Sequence, residues 1–565
     1  MNKKEIISAI LLLLIIPTIT LYDAYESSNI NDELYYITNG YAILKEGNFN
    51  LLIMPGLVSE IAALPLLFIN PTIPSYIENK KVNPFSRELF YQTQGNDAQQ
   101  MLFWSRTMMI LVSMIFGFFV FKWAYELYGV RSGFLALLLY VFSVQILGVS
   151  NRVLLDLTLS LFIFLSIYWF WRFSENPTKK NAIITGVMFG LALASKSSSI
   201  LIVPIFLIIT FFTMKNNKEI TMKVMSISFL IIALTGAVVL FATYGFNIEP
   251  LTVGERETLW LDNTIDSVPL KTFLISAIDI VGVIPIPFTQ YIKSLGFQLI
   301  HSGTGHGTFF LMGEYSTTGW WNFYTTTLFF KLQIPLLILL FASLITYQKD
   351  KNTPYLAVPI LFYLIYFSFF VKINLGIHYI FPILAFLFVF ASRIASITFP
   401  NKKIIWVGLS ILIIWYAVSA ILIAPFFNSY FNEFAGGPNN GHNIMVDFDC
   451  GQHLPRLKQY MDKNHIKEVK GVYTGTADPY YYEIKFEHLY QPVGLEYWNK
   501  EHFNHKKTCK PQTGTYVIPT RVLQNFQPDK DCFKWLRDTE PDAIIGHCFF
   551  IYTITERDLD DYTYD

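Results

Sequence analysis

Long apolar runs, separated by short polar stretches, dominate the first three quarters of the chain. They lie at about 6–21, 102–121, 132–150, 153–171, 182–195, 198–213, 224–244, 323–346, 354–371, 376–392 and 404–425. A helix needs roughly 20 apolar residues to cross a hydrocarbon core of about 30 Å, so the pattern predicts about eleven transmembrane helices. The fifth and sixth runs are short and meet at Ala194-Ser195-Lys196-Ser197, which makes them two crossings or one broken pair. Another run, Leu51 to Phe68, contains Pro55, Gly56, Glu60 and Pro65. It suits a helix lying at the membrane interface, with a re-entrant hairpin as the alternative.

Near Asn428 the pattern changes. The chain becomes polar, and short alternating stretches at Val469 to Tyr473, Gly514 to Pro519 and Ala543 to Ile545 read as strands between helix-like segments. The expected architecture is a multi-pass α-helical membrane protein. Residues 1–425 form the membrane part, with large loops at 22–101 and 245–322, and residues 426–565 form a small α/β domain outside the lipid. All four cysteines, Cys450, Cys509, Cys532 and Cys548, fall in that tail. An exported domain can oxidise them, with three connectivities if all pair. Their spacing has no CxxC, which makes zinc the weaker reading.

Composition narrows the partners. Charged residues make up 15%, against roughly 25% in soluble domains. Lys+Arg and Asp+Glu both total 42, so no basic excess exists to hold a nucleic-acid backbone. The partner this chain requires is a bilayer. Lys3 and Lys4, Lys179 and Lys180, Lys215 and Lys218, Lys349 and Lys351, and Lys402 and Lys403 fall on one side if every run crosses. The positive-inside rule then puts the N-terminus in the cytoplasm and the large loops and tail outside, at the plasma membrane. Residues 1–21 have the charged start and apolar core of a signal peptide, but no small-x-small cleavage site follows Leu21, so a retained first helix is expected.

Ionisable residues near the predicted outer ends of these helices are the candidates for chemistry. Asp32 and Glu33 form an acidic pair after the first helix. They either support a helix start capped by Asn31 or supply a carboxylate that takes a proton from a hydroxyl. Arg152 and Asp156 stand four apart and are expected to share a helix face and pair. With Arg106, Lys196 and Lys331 they make a cationic rim suited to a lipid phosphate. His301, His306 and Glu314 offer ligands for a divalent ion without tight ligand spacing, so a metal requirement stays open. Trp320 and Trp321 read as an interfacial belt, or as a platform for a sugar.

Several of these stretches together resemble one family. They are Asp32-Glu33, Asn151-Arg152 with Asp156, the run Gly186 to Lys196, Gly313 to Trp321, and Lys331 with Pro335. To these are added Asn374-Leu375-Gly376-Ile377-His378-Tyr379 with Pro382, and Tyr430-Phe431-Asn432-Glu433-Phe434-Ala435-Gly436-Gly437-Pro438 continuing into Asp449-Cys450-Gly451-Gln452. The chain resembles, over nearly its whole length, polyprenyl-phosphate-sugar-dependent glycosyltransferases of the GT-C type, nearest the protein O-mannosyltransferase and aminoarabinose transferase branch. Two positions depart from that pattern: Cys450 stands where Trp is usual, and His378 where Arg before Tyr is common.

The resemblance implies transfer of one sugar, with inversion, from a polyprenyl-phosphate donor to a hydroxyl acceptor on a protein, lipid or glycan. It implies Asp32 as general base and Glu33 as its orienting neighbour. Arg152, Asp156, Lys196, Arg106, Lys331, His378 and Tyr379 would then hold donor phosphate or sugar. The competing readings are a transporter or lipid-sugar flippase, whose intramembrane charges line a pathway, and a noncatalytic partner with the same fold.

Overall fold

A computed structural model describes the 565-residue chain except residues 31, 50, 52–53, 75–81, 217–219, 252–283, 305–307, 399–401, 447–449, 490–508, 525–531 and 561–565. Every predicted apolar run contains a helix, but fewer of them qualify as full spans than the eleven expected. Among the described residues, six helices are long and apolar enough to cross a membrane, or up to eight if each of two bent pairs counts as one span. The six include Lys3–Glu26, Ala98–Tyr128, Leu155–Glu175, Ser197–Lys215 and Met222–Thr243.

The bent pairs have local causes. Phe323–Lys331 and Ile334–Ile345 meet at 114°, where one straight helix over 323–346 was expected. Leu332 and Gln333 are extended between the two helices, and Pro335, at the first turn of the second, has no N–H to continue the hydrogen-bond ladder of the first. The carbonyls freed at the break are capped by Asn432, whose Nδ2 donates to Phe329 O at 2.6 Å and Leu332 O at 2.9 Å. Val130–Val141 and Val144–Ser150 bend by 59°. There Gln333 of the first break accepts from Val144 N at 3.1 Å, and Gln145 donates to Lys331 O at 2.9 Å. Each break supplies the polar partners that the other needs in lipid.

The run from Gly186 owes its glycines to packing. A Cβ at Gly186 would lie 2.8 Å from Ile232 O, and one at Gly190 2.6 Å from Gly236 O. The Lys179–Ser195 and Met222–Thr243 helices thus touch backbone to backbone, as small residues four apart allow in membranes. The helix ends at Ser195, and Lys196 is extended before a short 3-10 turn at Ser197–Leu201. Leu51 to Phe68 contains two short helices, Leu57–Ala63 and Leu66–Ile69, rather than a span.

The tail carries a mixed five-stranded sheet in the order Phe486–His488, Val469–Gly471, Gly514–Pro519, Phe549–Ile554, Ala543–Ile545. The first three strands are parallel, and the last two are antiparallel to their neighbours. Of the three possible pairings, the disulfides are Cys450–Cys548 and Cys509–Cys532. The first ties the loop entering the tail to the turn before Phe549–Ile554.

Candidate active site

Three buried ion networks converge where the first helix ends. The first contains Glu33 and Arg106, expected to orient the base and to bind phosphate. Arg106 Nε and Nη2 reach the two Glu33 oxygens at 3.0 and 2.7 Å, and both side chains are 0% exposed. The other Arg106 donors go to Ala24 O, Ser27 O, Ser27 Oγ and Ser28 O. Glu33 also accepts from Ile30 N and Val153 N. Arg106 therefore has no donor left for a phosphate; it is a strut holding the 27–33 loop. Burial alone would raise the Glu33 carboxyl, but the Arg106 charge and hydrogen bonds hold it below the ordinary value.

The second network corrects the expected Arg152–Asp156 pair. Arg152 lies outside the helix, which begins at Leu155, so the two residues do not share a helical face. Arg152 Nη2 pairs instead with Asp23 at 2.6 Å, and Arg456 of the tail reaches the other Asp23 oxygen at 2.9 Å. Asn151 donates to the same carboxylate.

Asp156 anchors the third network. Lys196 Nζ lies 2.9 Å from its Oδ1 and His378 Nδ1 3.4 Å from its Oδ2, while Lys196 also sits over the Tyr379 ring. Lys196, Asp156 and His378 are the charged neighbours acting on Asp32. Asp32 takes the N-cap position of the Glu33–Glu46 helix, yet its carboxylate makes no capping hydrogen bond. The two acids do stand at a helix start, as the structural reading expected, while Asn31, its expected cap, lies outside the described residues. Asp32 keeps an exposed surface although the fold packs densely around it. That burial pushes its carboxyl up, Lys196 and His378 oppose the rise, and Asp156 adds to it. Tyr36, one helical turn on, is close enough to feel Asp32 and Asp156.

Lys331 lies elsewhere, donating to Asn428 O at 3.1 Å and stacked over Phe431. Glu314 accepts from Trp320 Nε1. His306 and the side chain of His301 lie outside the described residues, among which no three metal-ligand side chains cluster. Sequence reasoning missed Asp23 and Arg456. Asp23 follows the first apolar run by two residues, where the sequence put the outer loop, and only the structure extends the helix past it; nothing in the pattern marked Arg456. It also gave no role to Glu60, whose carboxyl burial pushes up to about 7 and whose Oε1 has no partner among the described residues.

The site predicts a pH dependence. A base must be ionised to accept a proton, and a raised pKa moves the acid limb of kcat/KM above the roughly 3.9 of a free aspartate. Transfer should fall as pH drops through that limb. A limb at or below the free-aspartate value in a pH–rate profile would remove Asp32 from this role.

Comparison with known proteins adds a family. Residues 84–243 match the family model described as dolichyl-phosphate-mannose-protein mannosyltransferase. No curated protein matches the chain. Among solved structures, ArnT from Cupriavidus metallidurans in the apo state is similar at TM-score 0.48 and 11% identity, over 96% of this chain and 97% of that one. ArnT from the same organism bound to undecaprenyl phosphate gives TM-score 0.46 and 10% identity, over 97% and 98%. The archaeal oligosaccharyltransferase AglB from Archaeoglobus fulgidus gives 0.45 and 11%, over 83% of this chain and 62% of that one. At these TM-scores the likenesses carry no weight for function. The family match, confined to residues 84–243, agrees with the resemblance read from the sequence to glycosyltransferases that use a polyprenyl-phosphate-linked sugar.

Proposed function

We propose that the enzyme transfers a single sugar, with inversion, from a polyprenyl phosphate to an acceptor hydroxyl, with Asp32 as general base. The observation that carries this reading is the contrast between the two neighbouring acids. Glu33 is fully engaged with Arg106, whereas the Asp32 carboxylate has no hydrogen-bond partner among the described residues and stays exposed, with Lys196 and His378 as charged neighbours.

The acceptor oxygen attacks the anomeric carbon as Asp32 takes its proton. The bond from that carbon to the phosphate oxygen breaks, and the polyprenyl phosphate leaves as an anion. A phosphate is a far better leaving group than the alkoxide a glycosidase must protonate, so no second acid is required. Lys196 stabilises the departing charge. An ammonium has three donors; one is engaged with Asp156, and the side chain keeps 14% of its surface exposed. His378 and Tyr379 complete that wall. Arg152, Arg106 and Lys331 are assigned to holding the fold rather than the phosphate.

Lys196→Ala should lower kcat/KM for the donor about ten- to a hundredfold, the worth of one charge-assisted hydrogen bond of roughly 1.5–3 kcal/mol. Kinetics at varied donor concentration check it, and unchanged donor kinetics would count against the phosphate role. Mannose as the sugar and a protein hydroxyl as the acceptor are the first substrates to test, following the description of the matched family. We further propose that the site and the tail lie outside the cell. Tail residues Gly451, Gln452 and Thr476 bond to Ser28 and Asn29 just before Asp32, so both share one side of the bilayer. Labelled lipid-phosphate sugar added to membranes tests the activity: release of label from the lipid supports transfer, whereas movement of intact lipid would mark a flippase.

A further inference from the structure

The Asp32 carboxylate makes no capping hydrogen bond, so where it stands depends on how its backbone is held. That backbone is pinned on both flanks. Ile30 N donates to Glu33 Oε2 at 3.0 Å and Ile30 O accepts from Glu33 N at 3.3 Å, which brackets Asp32 between them. Just before, Ser28 is fully buried, and all three of its polar atoms are engaged. Its carbonyl accepts from Arg106 Nη2 at 2.8 Å. Its two donors go to the tail, Ser28 Oγ to Gly451 O at 2.6 Å and Ser28 N to Gln452 O at 3.2 Å.

Those tail carbonyls are themselves anchored. Gly451 and Gln452 follow Cys450, whose disulfide partner Cys548 stands at the head of the Phe549–Ile554 strand. That strand pairs with Gly514–Pro519 along its whole length, and Cys548 O accepts from Thr520 N at 2.9 Å just beyond that neighbour. Further along, Arg456 reaches Asp23 at 2.9 Å. The stretch from Gly451 to Arg456 thus grips the end of the first helix and the turn that leads to Asp32. The bonds to Ser28 use main-chain carbonyls, so they do not depend on the side chain at position 450. What Cys450 adds is a covalent tie from those carbonyls to the sheet.

We propose that Ser28 is a positioning residue for the general base, and that the tail, through Gly451 and Gln452, supplies half of the clamp that holds it. The inference rests on the reading of Asp32 as the base. Lys196, Asp156, His378 and Tyr379 are the ionisable groups that act on Asp32 from other elements. Lys196 and His378 are held to Asp156 rather than to Ser28, so the donor side of the site does not depend on the clamp. Releasing the clamp shifts the carboxylate relative to the acceptor hydroxyl, and misplacement by about 1 Å can cost roughly a hundredfold in rate.

The test is transfer by the full-length Ser28→Ala enzyme in membranes, read as release of label from polyprenyl-phosphate mannose. The expected result is a kcat about ten- to a hundredfold lower at unchanged donor KM. The acid limb of kcat/KM should move down toward the value of a free aspartate, because the carboxyl leaves the surroundings that raise it. A smaller folded fraction also lowers kcat but leaves the limb where it is, so the limb separates positioning from damage to the fold. Arg87→Ala breaks the Arg87–Asp478 bridge between the first loop and the tail; it weakens the same seam and should leave the limb in place. If Ser28→Ala does not fold, Cys450→Ser/Cys548→Ser, which keeps Ser28 and frees Gly451 and Gln452 from the sheet, is read instead, with the same shift expected. An unmoved limb overturns the inference, with or without a loss in kcat, and so does an equal shift in Arg87→Ala. An active Asp32→Asn enzyme overturns the base itself, which keeps the two failures apart.

Discussion

Asp32→Asn should abolish sugar transfer while leaving the enzyme inserted and as thermally stable as the parent. The substitution keeps the size and shape of the side chain and removes only its ability to accept a proton. General base catalysis contributes typically about a hundred- to ten-thousand-fold, so loss in that range is expected in kcat. Donor binding should change little, because Lys196 and His378 keep their Asp156 partner. The folding side of the prediction follows from the same geometry. Asp32 makes no capping hydrogen bond, and relieving a carboxylate that burial disfavours should leave stability equal or slightly higher. Transfer assays beside melting curves check both parts. An active Asp32→Asn enzyme ends the assignment, and an inactive but unfolded one would return Asp32 to a structural role.

The neighbouring acid should behave in the opposite way. Glu33→Ala leaves the Arg106 charge buried without its carboxylate, and breaking a buried pair by removing one partner costs about 3–5 kcal/mol. The expected outcome is poor insertion or a strongly lowered melting temperature, with inactivity as a consequence. Arg106→Ala should be at least as damaging, since it also orphans the carbonyls of Ala24, Ser27 and Ser28. The Glu33→Ala/Arg106→Ala double variant should lose less than the sum of the two single losses, because no uncompensated charge remains. Thermal melting of all three variants checks this. Additive losses would mean that the two side chains act independently.

These two predictions separate residues adjacent in sequence, and they mark how far the sequence could be read. The apolar runs, the change of pattern near Asn428 and the strands at 469, 514 and 543 were legible, because hydrophobic periodicity is local. The bend at Lys331 was signalled by Pro335 but not resolved, because its angle depends on Asn432, a hundred residues away. Asp32, Lys196 and Asp156 were marked as candidates, since ionisable groups at the ends of apolar runs are rare and costly, and His378 through the family resemblance. Which charges would pair was not legible. Arg152 and Asp156 satisfy the helix spacing rule, but the helix begins between them.

The sequence by itself determined that this chain lives in a bilayer, where its helices fall, and that several charges gather at their ends. Composition and local spacing suffice for those conclusions, because lipid admits only backbone that satisfies itself. The tertiary structure alone decided which charge belongs to the reaction and which to the scaffold. In a low-dielectric interior every charge takes the partner that the fold brings to it. Glu33 received Arg106, Asp23 received Arg152 and Arg456, Asp156 received Lys196, and the Asp32 carboxylate was left without a hydrogen-bond partner among the described residues.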